Sequence, residues 1–221
     1  MEFVSNNMSS IEGLIAIIEN SNNTEKRLES IRNLSGVLGR SKNISTTTKY
    51  IGPLSRFKKI ASETKYDLMV LLSGPEPQRT FLENKLLTEL KNYKGTVVFI
   101  KGKVEPEQNI KKDEKMTVYN YMTTSDLEKA LNESRLILSR SGYTTIMDLY
   151  KLNKKCFFIP TPGQYEQLYL AKKLKEDVIA PSCLQDDFTI EKLDEVKEFN
   201  GFQNCESNTN FKDLFSLFKG K

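Results

Sequence analysis

Two successive strand–loop–helix units between residues 134 and 171 constrain the fold of this chain more than any other feature. The apolar run Leu136–Leu138 ends in a small polar loop, and a helical pattern follows it. The apolar run Cys156–Ile159 ends in a loop with two prolines and a glycine, and a second helical pattern follows. Strands that alternate with helices in this way are typical of a parallel sheet with helical crossovers. Ligands bind such sheets at the edge where the strands end, so we expect the two loops to contribute to one site.

The same alternation extends toward the amino terminus. Tyr66–Leu72 is a continuous apolar run, typical of a buried parallel strand, and Gln78–Lys91 has helical spacing of its apolar residues. Further elements are predicted in the order strand, strand and helix at Thr96–Ile100, Thr117–Met122 and Ser125–Leu131. We therefore predict an α/β fold with a doubly wound parallel sheet over residues 49–221. Residues 1–48 are predicted to form a short helical appendage or linker.

Composition excludes several classes of function. The chain has no histidine, so it cannot contain a Ser–His or Cys–His catalytic pair or a histidine zinc site. Its three cysteines lack metal-ligand spacing and favour a reduced, cytoplasmic compartment. The net charge of +4 comes without a block of like charges, so nucleic-acid binding is not indicated. No signal peptide is evident at the amino terminus, because a basic segment before an apolar one is missing.

The loop after the first strand contains Ser73 and Gly74. A glycine there lets the backbone approach a phosphate, and the Ser73 hydroxyl can donate a hydrogen bond. An ordinary strand-to-helix turn explains the same residues, and taken alone that explanation is favoured. The loop lacks both the GxGxxG pattern of dinucleotide sites and the GxxxxGK[ST] pattern of P-loop NTPases.

The loop after the second-last strand offers polar groups at the start of a helix. They can cap the helix, or they can hold a diphosphate with the backbone N–H groups and the positive end of the helix dipole. The arginine of this loop can face either a phosphate or an internal carboxylate. The candidate residues are Arg140, Ser141, Gly142, Tyr143 and Thr144.

Polar side chains beside such a phosphate site suit a sugar. Asp148 lies inside the helix that follows, where it can accept hydrogen bonds from ribose hydroxyls or simply face solvent. The proline-bounded loop carries Gly163, which with the prolines makes a rigid exposed turn. Gln164, Glu166 and Gln167 supply amide and carboxylate groups suited to sugar hydroxyls. Together the two loops predict a pocket for a nucleotide sugar.

These residues resemble the glycosyltransferase family 28 C-terminal domain, the donor-binding half of GT-B glycosyltransferases. A family member reads R-S-G-x-x-T-x-x-E, then a strand and a proline, then Q-Q-x-x-x-A. This chain has Arg140-Ser141-Gly142 with Asp148 at the acidic position, and Glu166-Gln167 with Ala171. The resemblance covers about Lys49–Glu198 and implies a Rossmann-like domain.

The resemblance also implies roles for individual residues. Ser73 and Gly74 correspond to the first glycine-rich loop, and Ser141, Gly142 and Thr144 to the diphosphate contacts. Asp148 corresponds to the ribose contact, Glu166 and Gln167 correspond to the donor-sugar contacts, and the backbone of Tyr121–Thr124 to the base contact. Asp148 replaces a glutamate and Glu166 replaces a glutamine, so the resemblance does not fix the sugar as GlcNAc.

A family member of this kind transfers a hexosyl group from a UDP-sugar with inversion, without a metal or another cofactor. The acceptor-binding domain, which brings the catalytic base, is not recognisable in this chain. The resemblance therefore implies a donor-binding part that acts with a missing domain or with a partner subunit, which could bring it to the cytosolic face of a membrane. Two alternatives remain: a non-catalytic nucleotide-sugar-binding or regulatory module, and an epimerase-like enzyme. The absence of histidine counts against the epimerase.

Overall fold

The computed structural model describes residues 36–39 and 53–202. The chain divides into two compact units, one formed by residues 1–54 and 205–221 and the other by residues 55–204. Gly36–Gly39 forms a short 3-10 turn. The rest of the helical appendage predicted for residues 1–48 lies outside the described residues, and the predicted division between residues 48 and 49 stays a prediction.

The second unit contains all the strands and α-helices of the described residues. Its strands are β1 (Tyr66–Leu71), β2 (Val97–Ile100), β3 (Ile110–Lys112), β4 (Met116–Tyr119), β5 (Ser134–Ser139) and β6 (Lys155–Phe158). Its α-helices are α1 (Gln78–Glu89), α2 (Thr124–Asn132), α3 (Tyr143–Leu152) and α4 (Tyr165–Glu176). Two 3-10 segments, Leu90–Asn92 and Ile190–Glu198, complete the regular structure of this unit.

The strands form one six-stranded sheet in the order β3-β4-β2-β1-β5-β6. All neighbouring pairs are parallel except β3 with β4, which are antiparallel. Leu68, Met69 and Val70 in the central strand β1 are fully buried, as expected for a strand covered on both faces. The predicted α/β, Rossmann-like fold is confirmed, with a correction at one edge. Sequence patterns did not predict β3, because its residues, IKK, are all exposed and carry no apolar run.

The strand order places a change of direction between β1 and β5. From β1 the chain builds the sheet outward through β2 to β4, and it then returns to the other side of β1 to add β5 and β6. The loops that leave β1 and β5 therefore run in opposite directions across the sheet and open a crevice between them. This is the position at which open α/β sheets bind ligands.

Candidate functional site

The loop after β1 meets the loop after β6 at Gly74. Ser73 and Gly74 are both exposed. Gly74 has φ of 106°, a conformation that favours glycine, and a Cβ there would lie 3.5 Å from Oγ1 of Thr161. Thr161 is only 1% exposed, and its hydroxyl has no hydrogen-bond partner within the described residues. A buried hydroxyl without a partner is costly, so this point beside Gly74 is suited to a ligand that accepts a hydrogen bond.

Arg140 lies inside the protein and ties three segments together. Its side chain donates hydrogen bonds to the carbonyl oxygens of Ile159 and Pro160 after β6, to that of Gln78 at the start of α1, and to Oε1 of Gln185, at 2.7–3.1 Å. Burial lowers its pKa to about 10, so the guanidinium still carries its charge at neutral pH.

This arrangement differs from both predicted roles of Arg140, which were a contact with a phosphate and a contact with an internal carboxylate. All four acceptors are neutral, and no ion pair of Arg140 with a carboxylate occurs within residues 53–202. The guanidinium is 1% exposed, and its Nε has no partner in that part of the chain. Arg140 is therefore corrected from a direct ligand contact to a buried cation that holds the loops in place.

The amino terminus of α3 is open. Gly142 is the N-cap residue and provides no side-chain hydrogen bond, and the first turn of the helix contains no acidic residue. Thr144 in that turn is exposed, whereas Tyr143 and Gly142 are half-buried. Because the N-cap residue supplies no side-chain cap and no carboxylate lies in the first turn, the positive end of this helix suits an anion. The Ser141 hydroxyl, by contrast, is fully buried and donates to the carbonyl oxygen of Gln167 at 2.8 Å.

The side chain of Gln167 organises the loop after β6. Its Oε1 accepts a hydrogen bond from the Thr161 N–H at 2.9 Å, and its Nε2 donates to Oε1 of Gln164. Gly163 is exposed at the tip of this loop, with φ of 81°. The predicted sugar contacts thus divide into two kinds. Gln164 and Gln167 bind each other, while Glu166, in the first turn of α4, has no hydrogen bond or ion pair with any described residue.

Asp148, the predicted ribose contact, is half-buried on α3 and is paired with a residue distant in sequence. Ser55 donates a hydrogen bond from its hydroxyl to Oδ1 of Asp148 at 2.6 Å. Burial raises the pKa of the Asp148 carboxyl above its usual range, while the bond from Ser55 and the nearby charge of Arg56 lower it. The carboxylate is thus held by the segment that precedes the sheet.

The main chain after β4 is already hydrogen-bonded within the protein. The Tyr121 N–H donates to Oδ1 of Asn120 at 3.0 Å, and the Tyr121 carbonyl accepts from Nε2 of Gln108 at 3.0 Å. Within the predicted base contact at Tyr121–Thr124, both main-chain groups of Tyr121 are therefore already bonded within the protein.

Two residues of this region escaped the site prediction. Thr161 lies between the two prolines of the loop after β6, but nothing in the sequence distinguishes a hydroxyl without a partner from one that bonds locally. Ser55 lies 93 residues before Asp148, and no periodicity connects the two positions. Both were found only from the packing of loops that are far apart in sequence.

Two further properties concern residues 36–39 and 53–202. No helix there is long and apolar enough to cross a membrane. No three side chains of the histidine, cysteine, aspartate or glutamate type lie close enough together there to hold a metal ion.

Comparison with known proteins identifies the family. The model of the glycosyltransferase family 28 C-terminal domain matches residues 78–211, more than half of the chain. The chain belongs to this family. No curated protein matches the sequence.

One solved structure with a TM-score above 0.5 agrees with this assignment at the level of the fold. The glycosyltransferase of kitacinnamycin matches with a TM-score of 0.51 and 16% identity, over 75% of this chain and 43% of that one. MurG of Acinetobacter baumannii matches with a TM-score of 0.46 and 18% identity, over 71% of this chain and 48% of that one. ALG13 matches with a TM-score of 0.48 and 16% identity, over 69% of this chain and 96% of that one. The chain thus spans less than half the length of the first two proteins.

Proposed function

We propose that this chain is the donor-binding domain of a glycosyltransferase and that it binds a UDP-sugar, with UDP-GlcNAc as the first donor to test. The acceptor, and the base that deprotonates it, belong to another domain or to a partner subunit. Such a partner would also account for an association with the cytosolic face of a membrane. The family membership supports the general activity, and the geometry of the crevice between β1 and β5 supports the donor role.

One observation carries the proposal. The amino terminus of α3 at Gly142 follows β5, and the Thr161 hydroxyl, which has no partner among the described residues, lies beside Gly74 after the neighbouring strand β1. N–H groups at a helix start and a buried hydroxyl are hydrogen-bond donors suited to diphosphate oxygens. The buried charge of Arg140 has no carboxylate counter-ion in residues 53–202, and it would add attraction for an anion without direct contact.

The remaining residues suit the rest of the donor. Asp148 keeps its second carboxylate oxygen, Oδ2, without a hydrogen bond to any described residue, and that oxygen can accept from a ribose hydroxyl. Glu166, which has no partner in the described part of the chain, is placed at the start of α4 to accept from hydroxyls of the transferred sugar.

The proposed mechanism follows from these donors. The acceptor hydroxyl oxygen attacks the anomeric carbon, the bond from that carbon to the diphosphate oxygen breaks, and the base receives the hydroxyl proton. The leaving diphosphate gains negative charge, which the N–H groups of α3 and the Thr161 hydroxyl stabilise. Attack from the side opposite the leaving group inverts the anomeric centre. This stabilisation comes from fixed dipoles and donors, so we propose that the transfer needs no metal.

Calorimetric titration with UDP, UDP-GlcNAc, ADP and GDP tests the donor proposal. We expect UDP to bind and the variant Asp148→Ala to bind it at least about tenfold more weakly, because a hydrogen bond to a charged group is lost. Asp194→Ala is the matched control, since Asp194 lies in the exposed part of the 190–198 segment. Failure of the folded chain to bind any of these nucleotides would overturn the proposal.

A further inference from the structure

Ser55 makes two hydrogen bonds that together fix the direction of its hydroxyl proton. Its Oγ accepts from the N–H of Phe57 at 3.1 Å and donates to Oδ1 of Asp148 at 2.6 Å. Because an ionised carboxylate can only accept, the hydroxyl proton of Ser55 points toward Asp148. The bond to a carboxylate belongs to the stronger, charge-assisted kind.

The segment that carries Ser55 is anchored on α2. Phe57 is buried at 2% exposure, and the Lys58 N–H donates to Oε1 of Glu128 at 2.6 Å. The Ile60 N–H donates to Oδ1 of Asn132 at 2.9 Å, while Nδ2 of Asn132 donates to the carbonyl oxygen of Lys58 at 3.0 Å. These bonds hold the Ser55 segment in place on α2, so the Ser55 hydroxyl can position the Asp148 carboxylate accurately.

The anchored hydroxyl restricts the Asp148 side chain. A free aspartate samples several orientations about its side-chain bonds, and holding one carboxylate oxygen fixes where the other points. With Oδ1 held by Ser55, Oδ2 keeps one orientation for accepting a hydrogen bond. A ligand that uses Oδ2 then loses less conformational entropy on binding than it would with an unrestrained aspartate.

We propose that Ser55 is a positioning residue for ribose recognition: it orients the Asp148 carboxylate so that its other oxygen, Oδ2, meets the ribose diol of the donor. This inference rests on the proposed function, because it requires a nucleotide at the site. It goes beyond that function by giving a role, exerted through Asp148, to a residue from the segment before the sheet.

The test compares the affinities of UDP and 2′,3′-dideoxy-UDP by calorimetry. In the wild-type chain we expect UDP to bind more tightly, since only UDP offers hydroxyls to Asp148. In Ser55→Ala we expect the ratio of the two affinities to fall about fivefold, as for the loss of one oriented hydrogen bond. Ser55→Thr keeps the hydroxyl and should keep most of the ratio. Ser125→Ala, an exposed serine of α2, should leave the ratio unchanged.

The ratio separates positioning from general stability, because a merely structural role of Ser55 would weaken both ligands equally. A double variant, Ser55→Ala with Asp148→Ala, should have the same ratio of UDP to 2′,3′-dideoxy-UDP affinity as Asp148→Ala alone, because Ser55 acts through Asp148. If Ser55→Ala does not fold, Ser55→Cys retains the size of the side chain with a much weaker donor and gives the same comparison.

The outcomes distinguish the inference from the proposed function. A wild-type chain that does not bind UDP overturns the proposed function. A wild-type chain that binds both ligands equally shows that the diol is not recognised and overturns the role of Ser55. If the wild-type chain prefers UDP and Ser55→Ala keeps the same ratio of the two affinities, the role of Ser55 is overturned. The proposed donor function is then unaffected.

Discussion

Helices α2 and α3 begin at the same edge of the sheet, but their first turns are capped differently. In α2, the hydroxyl of Thr123 accepts a hydrogen bond from the Asp126 N–H at 3.3 Å and donates to the Asp126 carboxylate at 2.7 Å. In α3, the N-cap residue is Gly142, which has no side chain to cap the helix, and the first turn contains no acidic residue. Thus α2 has a side-chain cap on one N–H group and a negative charge in its first turn, whereas the N-cap of α3 supplies neither.

The two buried arginines of the described residues differ in the same sense. Arg79 is 3% exposed and forms ion pairs with Glu76 and Glu83. Arg140 is 1% exposed and bonds only to neutral oxygens. The charge of Arg79 is therefore paired with carboxylates, whereas that of Arg140 has no carboxylate partner within residues 53–202. The contrast agrees with the proposal that an anionic donor binds near β5.

The largest effect is expected from Arg140→Met. The substitution removes the donors to four buried or half-buried oxygens, and each acceptor left without a partner is costly. We expect the free energy of unfolding, measured by urea denaturation, to fall by at least about 3 kcal/mol.

Arg135→Met is the control for Arg140→Met. Arg135 has a side chain that is 69% exposed, and its ion pair with Asp67 is a surface pair, so we expect a change within about 0.5 kcal/mol. Equal stability of the Arg140 variant and the wild type would show that the guanidinium does not hold the loops in place. The distinction drawn between Arg140 and Arg79 would then be wrong.

Gly142→Asp converts the start of α3 into a start like that of α2. Gly142 has φ of −70° and ψ of 142°, which other residues adopt freely, and a Cβ there would meet only Oγ1 of Thr145 at 3.9 Å. The new carboxylate should cap the helix and stabilise the domain by a few tenths of a kcal/mol, about the difference between glycine and aspartate at an N-cap. The same charge should weaken UDP binding at least about tenfold.

Uridine provides the internal control for Gly142→Asp, because it lacks the diphosphate. Its affinity, measured by the same calorimetric titration, should change little, whereas the affinity for UDP falls. Undiminished UDP binding by a folded Gly142→Asp variant would contradict the placement of the diphosphate at α3.

The sequence predicted more of the sheet than of the site. Apolar runs such as Tyr66–Leu72 identify buried strands because burial on both faces requires them, and the structure has β1 there. The role of Arg140 was not predictable, since its four acceptors come from segments as far as 62 residues before it and 45 residues after it. The partner of Asp148 was missed for the same reason. A motif identifies which residue types lie at a site, but the partner of each side chain depends on tertiary packing.

A smaller effect is expected from Thr123→Ala in α2. Removal of the cap should lower the free energy of unfolding by about 1 kcal/mol, the usual cost at an N-cap. UDP affinity should not change, because this helix end is already closed in the wild-type chain. A fall in UDP affinity, measured by calorimetry alongside the unfolding experiment, would place α2 at the diphosphate and reverse the comparison of the two helices.

The smallest effect concerns pH. Because burial raises the pKa of Asp148, protonation should weaken donor binding as the pH falls through a value above the usual range of an aspartate. Removal of the Ser55 hydroxyl takes away one of the two influences that lower the pKa of Asp148. In Ser55→Ala, donor binding should therefore weaken at a higher pH than in the wild-type chain. UDP-GlcNAc is the ligand for this titration, since its diphosphate lacks the terminal phosphate ionisation near about pH 6.

The stability of the free domain should depend on pH in the opposite direction. A carboxyl whose pKa is raised on folding binds its proton more tightly in the folded state, so its contribution to stability is present at low pH and is lost as the pH rises through the folded pKa. Asp148→Asn should remove both dependences, which urea denaturation and calorimetry over the acid range can measure. If acidification weakened donor binding as much in Asp148→Asn as in the wild-type chain, a group other than Asp148 would control the pH dependence of binding.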